Sequence, residues 1–365
     1  MTTLSLRALN RATLERQLLL RRAKMSAYDA VERLAGLQAQ APFPPYYALW
    51  ARLHGFQPED LASLLLDRRV VRIALMRGTV HLVTAADARE WRPVVQPLFD
   101  RDLKTNTTHA PALADLDHTE VAAVARKLLA DRSYSSTELG AELARRWPDR
   151  PTASLTHLAR GMLPLVQVPP RGVWGKAGQT AYQTLDDWAG APSPSPSPAG
   201  LVARYLAAFG PASVADVQAW AGITRLGEVV DTMDLRRFRD VSGRELIDLP
   251  DAPLPPEDTP APPRLLGPFD QMILSYADRT RVITDAHRKR VITQNGLVKG
   301  TILVGGFIRG YWETKTTRKA ATCEVTPFER LPKRDVSALE SAALRLLKWA
   351  EPAAETYDVR VGAAP

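Results

Sequence analysis

Apolar positions recur along the chain first at helical spacing and then in alternation, and this order repeats. Leu14, Leu18 and Arg22 mark one side of a helix predicted over Ala12–Arg22, with Leu19 and Leu20 widening its apolar face. A second helix is expected from Ser26 to about Leu37. Ser26 is its N-cap, Asp29 answers three residues on, and Tyr28, Val31, Leu34 and Ala35 keep the helical period. Phe43–Leu53 and Pro58–Leu66 read as two more, the latter opened by Pro58. The period then becomes two, as Val71, Ile73 and Leu75 alternate with Arg72 and Ala74. Arg77-Gly78 supplies a turn and Thr79–Val83 returns. Helices followed by a hairpin is the order of a winged helix, the hairpin being the wing.

The order recurs at Thr119–Ala130, Ser135–Arg146 and Ser154–Leu163, where the strands Leu165–Val168 and Ala181–Leu185 pair around Arg171-Gly172-Val173-Trp174-Gly175-Lys176. Residues 191–200, alternating Pro and Ser, form a stiffened linker. Helices Leu201–Phe209, Ser213–Ala221 and Leu226–Met233 then precede strands at Phe238–Val241 and Glu245–Asp248. After a second proline-rich passage, Pro250–Pro263, come strands at 282–284, 290–293, 300–304, 307–312 and 322–325. Asn295-Gly296 is a hairpin signal, and a helix from Ser337 to Trp349 closes the fold. The predicted class is α+β. Three tandem winged-helix domains occupy 1–105, 115–190 and 201–250, and a β-rich, barrel-like domain occupies 264–350.

The 365 residues suffice for two or three domains with their own cores. A net charge of +8 favours a polyanionic partner. The single cysteine, Cys323, excludes an intramolecular disulfide and fits a reducing compartment. Leu18–Leu20 is too short for a signal-peptide core, and no stretch approaches the roughly 20 apolar residues that cross a bilayer. A cytoplasmic protein without a membrane partner is expected. There is no Walker loop, dinucleotide fingerprint or Gly-x-Ser-x-Gly elbow, and the six histidines lie far apart. Neither cofactor nor metal is expected.

The chemistry centres on Leu34–Tyr47. Gln38 and Gln40 flank Ala39 just where Pro42, Pro44 and Pro45 oppose helix. Residues two apart diverge on a helix and share a face in extended chain, so the glutamines converge only if the chain unwinds there. A polar helix end beside a Pro-aromatic packing segment accounts for the same residues without chemistry.

This stretch, Arg77-Gly78-Thr79-Val80-His81-Leu82, Leu266–Asp270 and His287–Arg290 together resemble the winged-helix family of bacterial DNA glycosylases, the AlkZ/YcaQ-like proteins. The resemblance runs nearly the whole chain. Members carry a Gln-x-Gln or Gln-x-Asp motif with x apolar; here it is Gln38-Ala39-Gln40. The Gln-x-Gln form points to the AlkZ branch, associated with azinomycin self-resistance and the unhooking of interstrand crosslinks. The resemblance implies a monofunctional glycosylase of DNA repair, with Gln38 and Gln40 catalytic and alkylated or crosslinked guanine in double-stranded DNA as substrate. Glutamine suits that work. Its amide takes up no proton near neutral pH, yet its carbonyl can hold a water and stabilise developing positive charge. An N7-alkylated guanine is already cationic and leaves without prior protonation.

His81 is either close to the scissile sugar or a phosphate, or a hydrogen-bonded strand residue. Asp270 either orients a catalytic group or caps a loop. Arg77, Arg171, Lys176, Arg288, Lys289, Arg290 and Lys299 are the candidate DNA contacts, since wings grip phosphate. Three DNA-facing modules make a monomer sufficient. A non-enzymatic winged-helix regulator and a lesion-binding protection protein are the rival readings; neither needs Gln38.

Overall fold

Ser5 starts the first helix, because its hydroxyl accepts the Ala8 N–H at 3.0 Å. In this computed structural model, which describes residues 1–193 and 195–362, that helix is Leu6–Arg16, preceded by β1 (Thr2–Leu4). It therefore starts and ends earlier than apolar spacing suggests, and Leu18 turns the chain at φ 58°. Of the linker at 191–200, Pro194 lies outside the described residues. Ser26 caps the next helix, Ala27–Arg33, accepting the Asp29 N–H at 3.1 Å. That helix stops well before Leu37. Ala35 (φ 54°) and Gly36 (φ 80°) are left-handed, and a Cβ on Gly36 would stand 2.5 Å from Val83 Cγ1. The chain leaves as β2 (Leu37–Gln38).

After the helices Pro44–Arg52 and Pro58–Leu66 come β3 (Val70–Ala74) and β4 (Val80–Thr84), joined by the turn at Arg77-Gly78. Two helices not foreseen from periodicity, Ala85–Val94 and Gln96–Thr105, follow. The next helices are His118–Asp131, Ser136–Ala144 and Thr152–Met162, with β5 (Tyr134–Ser135), β6 (Leu165–Gln167) and β7 (Ala181–Thr184). The two hairpins, expected as separate wings, share one sheet. Arg72 pairs with Gln167 and Ile73 with Val166, so the strands form one six-stranded sheet in the order β2-β4-β3-β6-β7-β5. Helices Pro198–Phe209, Val214–Ala221 and Leu226–Val230 lead to β8 (Arg236–Asp240) and β9 (Glu245–Asp248); β1 pairs parallel to β8.

The C-terminal region is an open sheet, not a barrel. β10 (Arg264–Leu266), β11 (Gly300–Val304), β12 (Phe307–Thr316), β13 (Ala320–Pro327) and β14 (Thr356–Val361) lie in that order, with β10 and β14 at the edges. The helix Lys333–Ala350 supplies Leu339, Ala343, Leu346 and Leu347 to the core shared with this sheet, so the apolar face is covered without closure. The strands expected at 282–284 and 290–293 do not form: residues 282–284 are irregular, and Thr284 caps a helix, Asp285–Val291. The Thr284 hydroxyl accepts the His287 N–H at 3.3 Å, so the β-branched triplet Val282-Ile283-Thr284 leads into a helix instead of a ladder. Asn295-Gly296 still turns, but only the single bridge Ile292–Val298 flanks it.

The cores cut across chain order. One gathers residues from Leu14 to Leu65 with Leu265 to Leu347; a second gathers Ala35 and Val71 to Phe99 with Val166, Leu201 to Ile247 and Tyr276. Leu37 and Ala39 belong to the first and Ala35 to the second. The motif strand thus runs along their seam.

Candidate active site

β2 is extended because it pairs with β4. Gln38 stands opposite His81, and the Ala39 N–H donates to the Val80 carbonyl at 2.8 Å. With Leu37 and Ala39 turned into the core, Gln38 and Gln40 share the other face. The unwinding needed for convergence therefore comes from strand pairing, ahead of the prolines. Gln40 is exposed, its Oε1 accepting the Val80 N–H at 3.2 Å; Gln38 retains 8% exposure.

Arg77 reaches Gln38 from the hairpin turn. Its backbone is left-handed (φ 57°), and its Nη2 donates to Gln38 Oε1 at 2.6 Å and lies 3.4 Å from His81 Nε2. Nη1 donates to the Trp220 carbonyl at 2.9 Å. Burial lowers the Arg77 pKa to about 10, so it stays a cation near neutral pH. His81 is fully buried and its Nδ1 donates to the Thr79 carbonyl at 2.9 Å, which leaves the Nε2 lone pair facing Arg77. Burial first, and the Arg77 charge second, push the His81 pKa down to about 3. His81 is a neutral side chain beneath Arg77.

A residue that the sequence reading passed over organises the motif backbone. Arg72, taken as the polar member of an alternating strand, is buried. Its guanidinium donates to the carbonyls of Ala39 at 2.9 Å, Pro42 at 3.2 Å and Ala41 at 3.4 Å, and to Gln167 Oε1 at 3.1 Å. The available signal was a charge in a strand whose neighbours on both sides, Val71 and Ile73, are β-branched and apolar. Gln271, also unforeseen, donates through Nε2 to the Gly36 carbonyl and holds the turn that releases β2.

Residues 31–349 match the model of the family described as DNA glycosylase AlkZ-like. The chain belongs to this family. It is 27% identical to the interstrand DNA cross-link repair glycosylase of Streptomyces sahachiroi, across 92% of this chain and 94% of that protein. The solved structure of S. sahachiroi DNA glycosylase AlkZ has the same fold, with a TM-score of 0.80 at 24% identity over 99% of this chain and 100% of that one. Membership in the AlkZ-like family makes the activity hydrolysis of N-glycosyl bonds in DNA, in the service of DNA repair.

For a DNA glycosylase AlkZ-like chain, the other candidate residues fall in distinct places. Asp270 faces Arg52 in a fully buried pair, with contacts of 2.7 and 2.9 Å, and also accepts the Met272 N–H at 3.1 Å. Arg171 donates to the Gly178 carbonyl at 3.2 Å within the loop joining β6 and β7, and Lys176 is exposed on that loop. Tyr46 anchors the loop: its hydroxyl donates to the Gly172 carbonyl at 2.8 Å and accepts the Trp174 N–H at 3.1 Å. Arg288, Lys289 and Arg290 lie on the helix Asp285–Val291; Arg288 pairs with Asp285 at 3.4 Å, and Arg290 covers the Phe328 ring at 4.3 Å. Lys299 pairs with Glu313 at 3.3 Å and lies over Tyr311. Arg77 is the one of these cations bonded to the glutamine pair. Among the described residues, no three His, Cys, Asp or Glu side chains converge as a metal site, and no helix is long and apolar enough to cross a membrane.

Proposed function

We propose that this protein hydrolyses the N-glycosyl bond of cationic N7-alkylated guanines, both as monoadducts and in azinomycin-type interstrand crosslinks, with Gln38 and Gln40 as the catalytic residues. The observation that carries the reading is the shared face of the two glutamines, held by Arg77 and Val80 beside a histidine that stays neutral. The C1′–N9 bond breaks and its electron pair neutralises the alkylated base, so no acid is required. Amide oxygens then stabilise the oxocarbenium-like sugar as oriented dipoles and hold the attacking water. The water oxygen bonds to C1′ and its proton passes to solvent. Each amide oxygen has two lone pairs, so the bonds to Arg77 and Val80 leave capacity for water. Arg77 and His81 act as positioning residues, the first fixing the Gln38 amide and the second supporting Arg77.

Two features favour crosslinks among the substrates. The S. sahachiroi relative bears the name of an interstrand cross-link repair glycosylase. A purine tethered to both strands cannot swing fully into a closed pocket, and Gln40 lies open to solvent. No lysine is bonded to either glutamine among the described residues, which suits monofunctional hydrolysis over a Schiff-base lyase step.

The test is a duplex carrying one N7-alkylguanine, incubated with enzyme and then heated in alkali to cleave abasic sites. Gln38→Ala and Gln40→Ala, each verified as folded, should lose most cleavage, and a uracil duplex should stay intact. Full cleavage by both variants would discard the site. Efficient uracil release would discard the requirement for a cationic leaving group.

A further inference from the structure

We propose that Arg160, with His157 beside it, binds a phosphate of the DNA strand and so sets the register of that strand against the glutamine pair. This deepens the glycosylase reading and rests on it for the identity of the lesion and for the glutamine pair as the reacting site. The helix Thr152–Met162 places His157 and Arg160 three residues apart, on one side. Both line a cleft of about 190 Å³ whose other wall includes Arg77, Gly78 and Phe99. Arg160 also lines a neighbouring cleft with Val80 and Gln167, and a third with His109, Thr152 and Thr156. It therefore stands where three clefts meet. Two of them touch residues that hold the motif: Arg77, bonded to Gln38, and Val80, bonded to Gln40.

What separates Arg160 from its neighbours is that its charge is unanswered. Among the described residues its side chain has no ion pair and no hydrogen bond, and the guanidinium carbon lies over the Tyr182 ring, 5.4 Å from its centroid. Arg92, in the same cleft as Val80, is committed to Gln96 and to the Gly161 carbonyl. Arg77 is committed to Gln38 and Trp220. The one carboxylate in the first cleft, Asp102, lies 3.0 Å from His157 Nε2, without hydrogen-bond alignment. His157 also stacks on His109, with ring centroids 4.4 Å apart. Burial lowers the His157 pKa, so the imidazole is neutral and Asp102 keeps its charge; Arg77 and Arg160 together outweigh that single carboxylate and leave the cleft net positive. A half-buried guanidinium with no acceptor gains from an oxyanion ligand, and its planar fork matches two phosphate oxygens. In a DNA glycosylase the available oxyanion is the phosphodiester backbone, whose contacts position the strand without reading sequence.

Binding of wild type and Arg160→Gln to a duplex with one N7-alkylguanine would be measured across a salt series. It would be repeated on duplexes in which single phosphates near the lesion are replaced by neutral methylphosphonate. Wild type should lose about tenfold in affinity at one such position. Arg160→Gln should be about tenfold weaker on the unmodified duplex and lose nothing more at that position. Its slope of log affinity against log salt should be shallower by about 1. Arg160→Lys, which keeps the charge, should keep the wild-type slope, and this guards against misreading a folding defect. Wild-type affinity in Arg160→Gln, or equal further losses at every methylphosphonate, would overturn the contact. If the methylphosphonate result holds while no base is released, the phosphate contact stands and the proposed substrate falls. If base is released and the losses simply add, the contact falls alone.

Discussion

Arg77 Nη2 and Gln38 Oε1 are 2.6 Å apart, so the hairpin turn that carries the arginine and the strand that carries the glutamine are locked to each other. The lock fixes which end of the Gln38 amide accepts. Arg77→Ala should lower the single-turnover rate of base release by about 100-fold, the scale on which a displaced catalytic group loses rate. Lysine should restore little, because one ammonium cannot span both Gln38 and the Trp220 carbonyl as the guanidinium does. Rates taken at saturating enzyme separate this effect from weakened DNA binding, and an unchanged rate in Arg77→Ala would remove the positioning role.

His81 titrates near pH 3 when folded, against 6.5 for an ordinary histidine. Well above pH 6.5 it is neutral in both states and contributes no pH dependence. As pH falls from 6.5 toward 3, the unfolded chain takes up a proton that the native protein refuses, so stability declines. His81→Leu should therefore show a shallower loss of stability between pH 6 and 4 in urea unfolding (about that window). Asp87, raised to about 6 by burial, works in the opposite direction but is common to both proteins and cancels in the comparison. The rate of base release should show no break attributable to His81 near its ordinary pKa. Such a break, absent in the variant, would make His81 an acid or base in the reaction.

Gly222, distant in sequence from the motif, supports the turn beneath it. It is left-handed (φ 80°) at the end of the helix Val214–Ala221, and a Cβ there would stand 2.8 Å from the Arg77 backbone nitrogen. Gly222→Ala should cost more than about 1 kcal/mol of stability. By shifting Arg77 it should also slow base release. Loss of stability with no loss of rate would show that the turn relaxes without moving the guanidinium.

The Arg52–Asp270 pair is buried on both sides. Removing one partner leaves an uncompensated charge, so Arg52→Ala should cost about 3–5 kcal/mol in equilibrium unfolding. Asp270→Asn should lower stability as well, while each folded molecule releases base at the wild-type rate. A reduced rate in fully folded Asp270→Asn would instead give that carboxylate a part in catalysis.

Much of this molecule follows from local rules that act within a few residues. Ser26 with Asp29, Pro58, and the alternation through Val71 and Ile73 specify caps, helices and a hairpin without reference to the rest of the chain. Spacing marked Gln38-Ala39-Gln40 only as two polar residues that share a face once the chain is extended, equally readable as a polar helix end; the catalytic expectation came from the family resemblance. Sequence did not determine what extends the chain. Proline pointed to an unwound helix, whereas the decisive contacts are the left-handed turn at Ala35-Gly36 and pairing with β4, whose partner residues lie far along the chain. The same holds for Arg72. Its charge looked like an exposed strand position because alternation assumes one wet face, and only the pairing of β3 with both β4 and β6 buries it against the motif carbonyls. At 282–293, the β-branched Val282-Ile283-Thr284 suggested strand, whereas Thr284 caps the polar helix Asp285–Val291. Periodicity is a property of neighbours in sequence, and it determined many of the elements. Burial, charge pairing and the sharing of sheets depend on neighbours in space, and tertiary structure alone decided that Arg77 would bond Gln38 beside His81 and that Arg72 would bond the carbonyls of the motif segment.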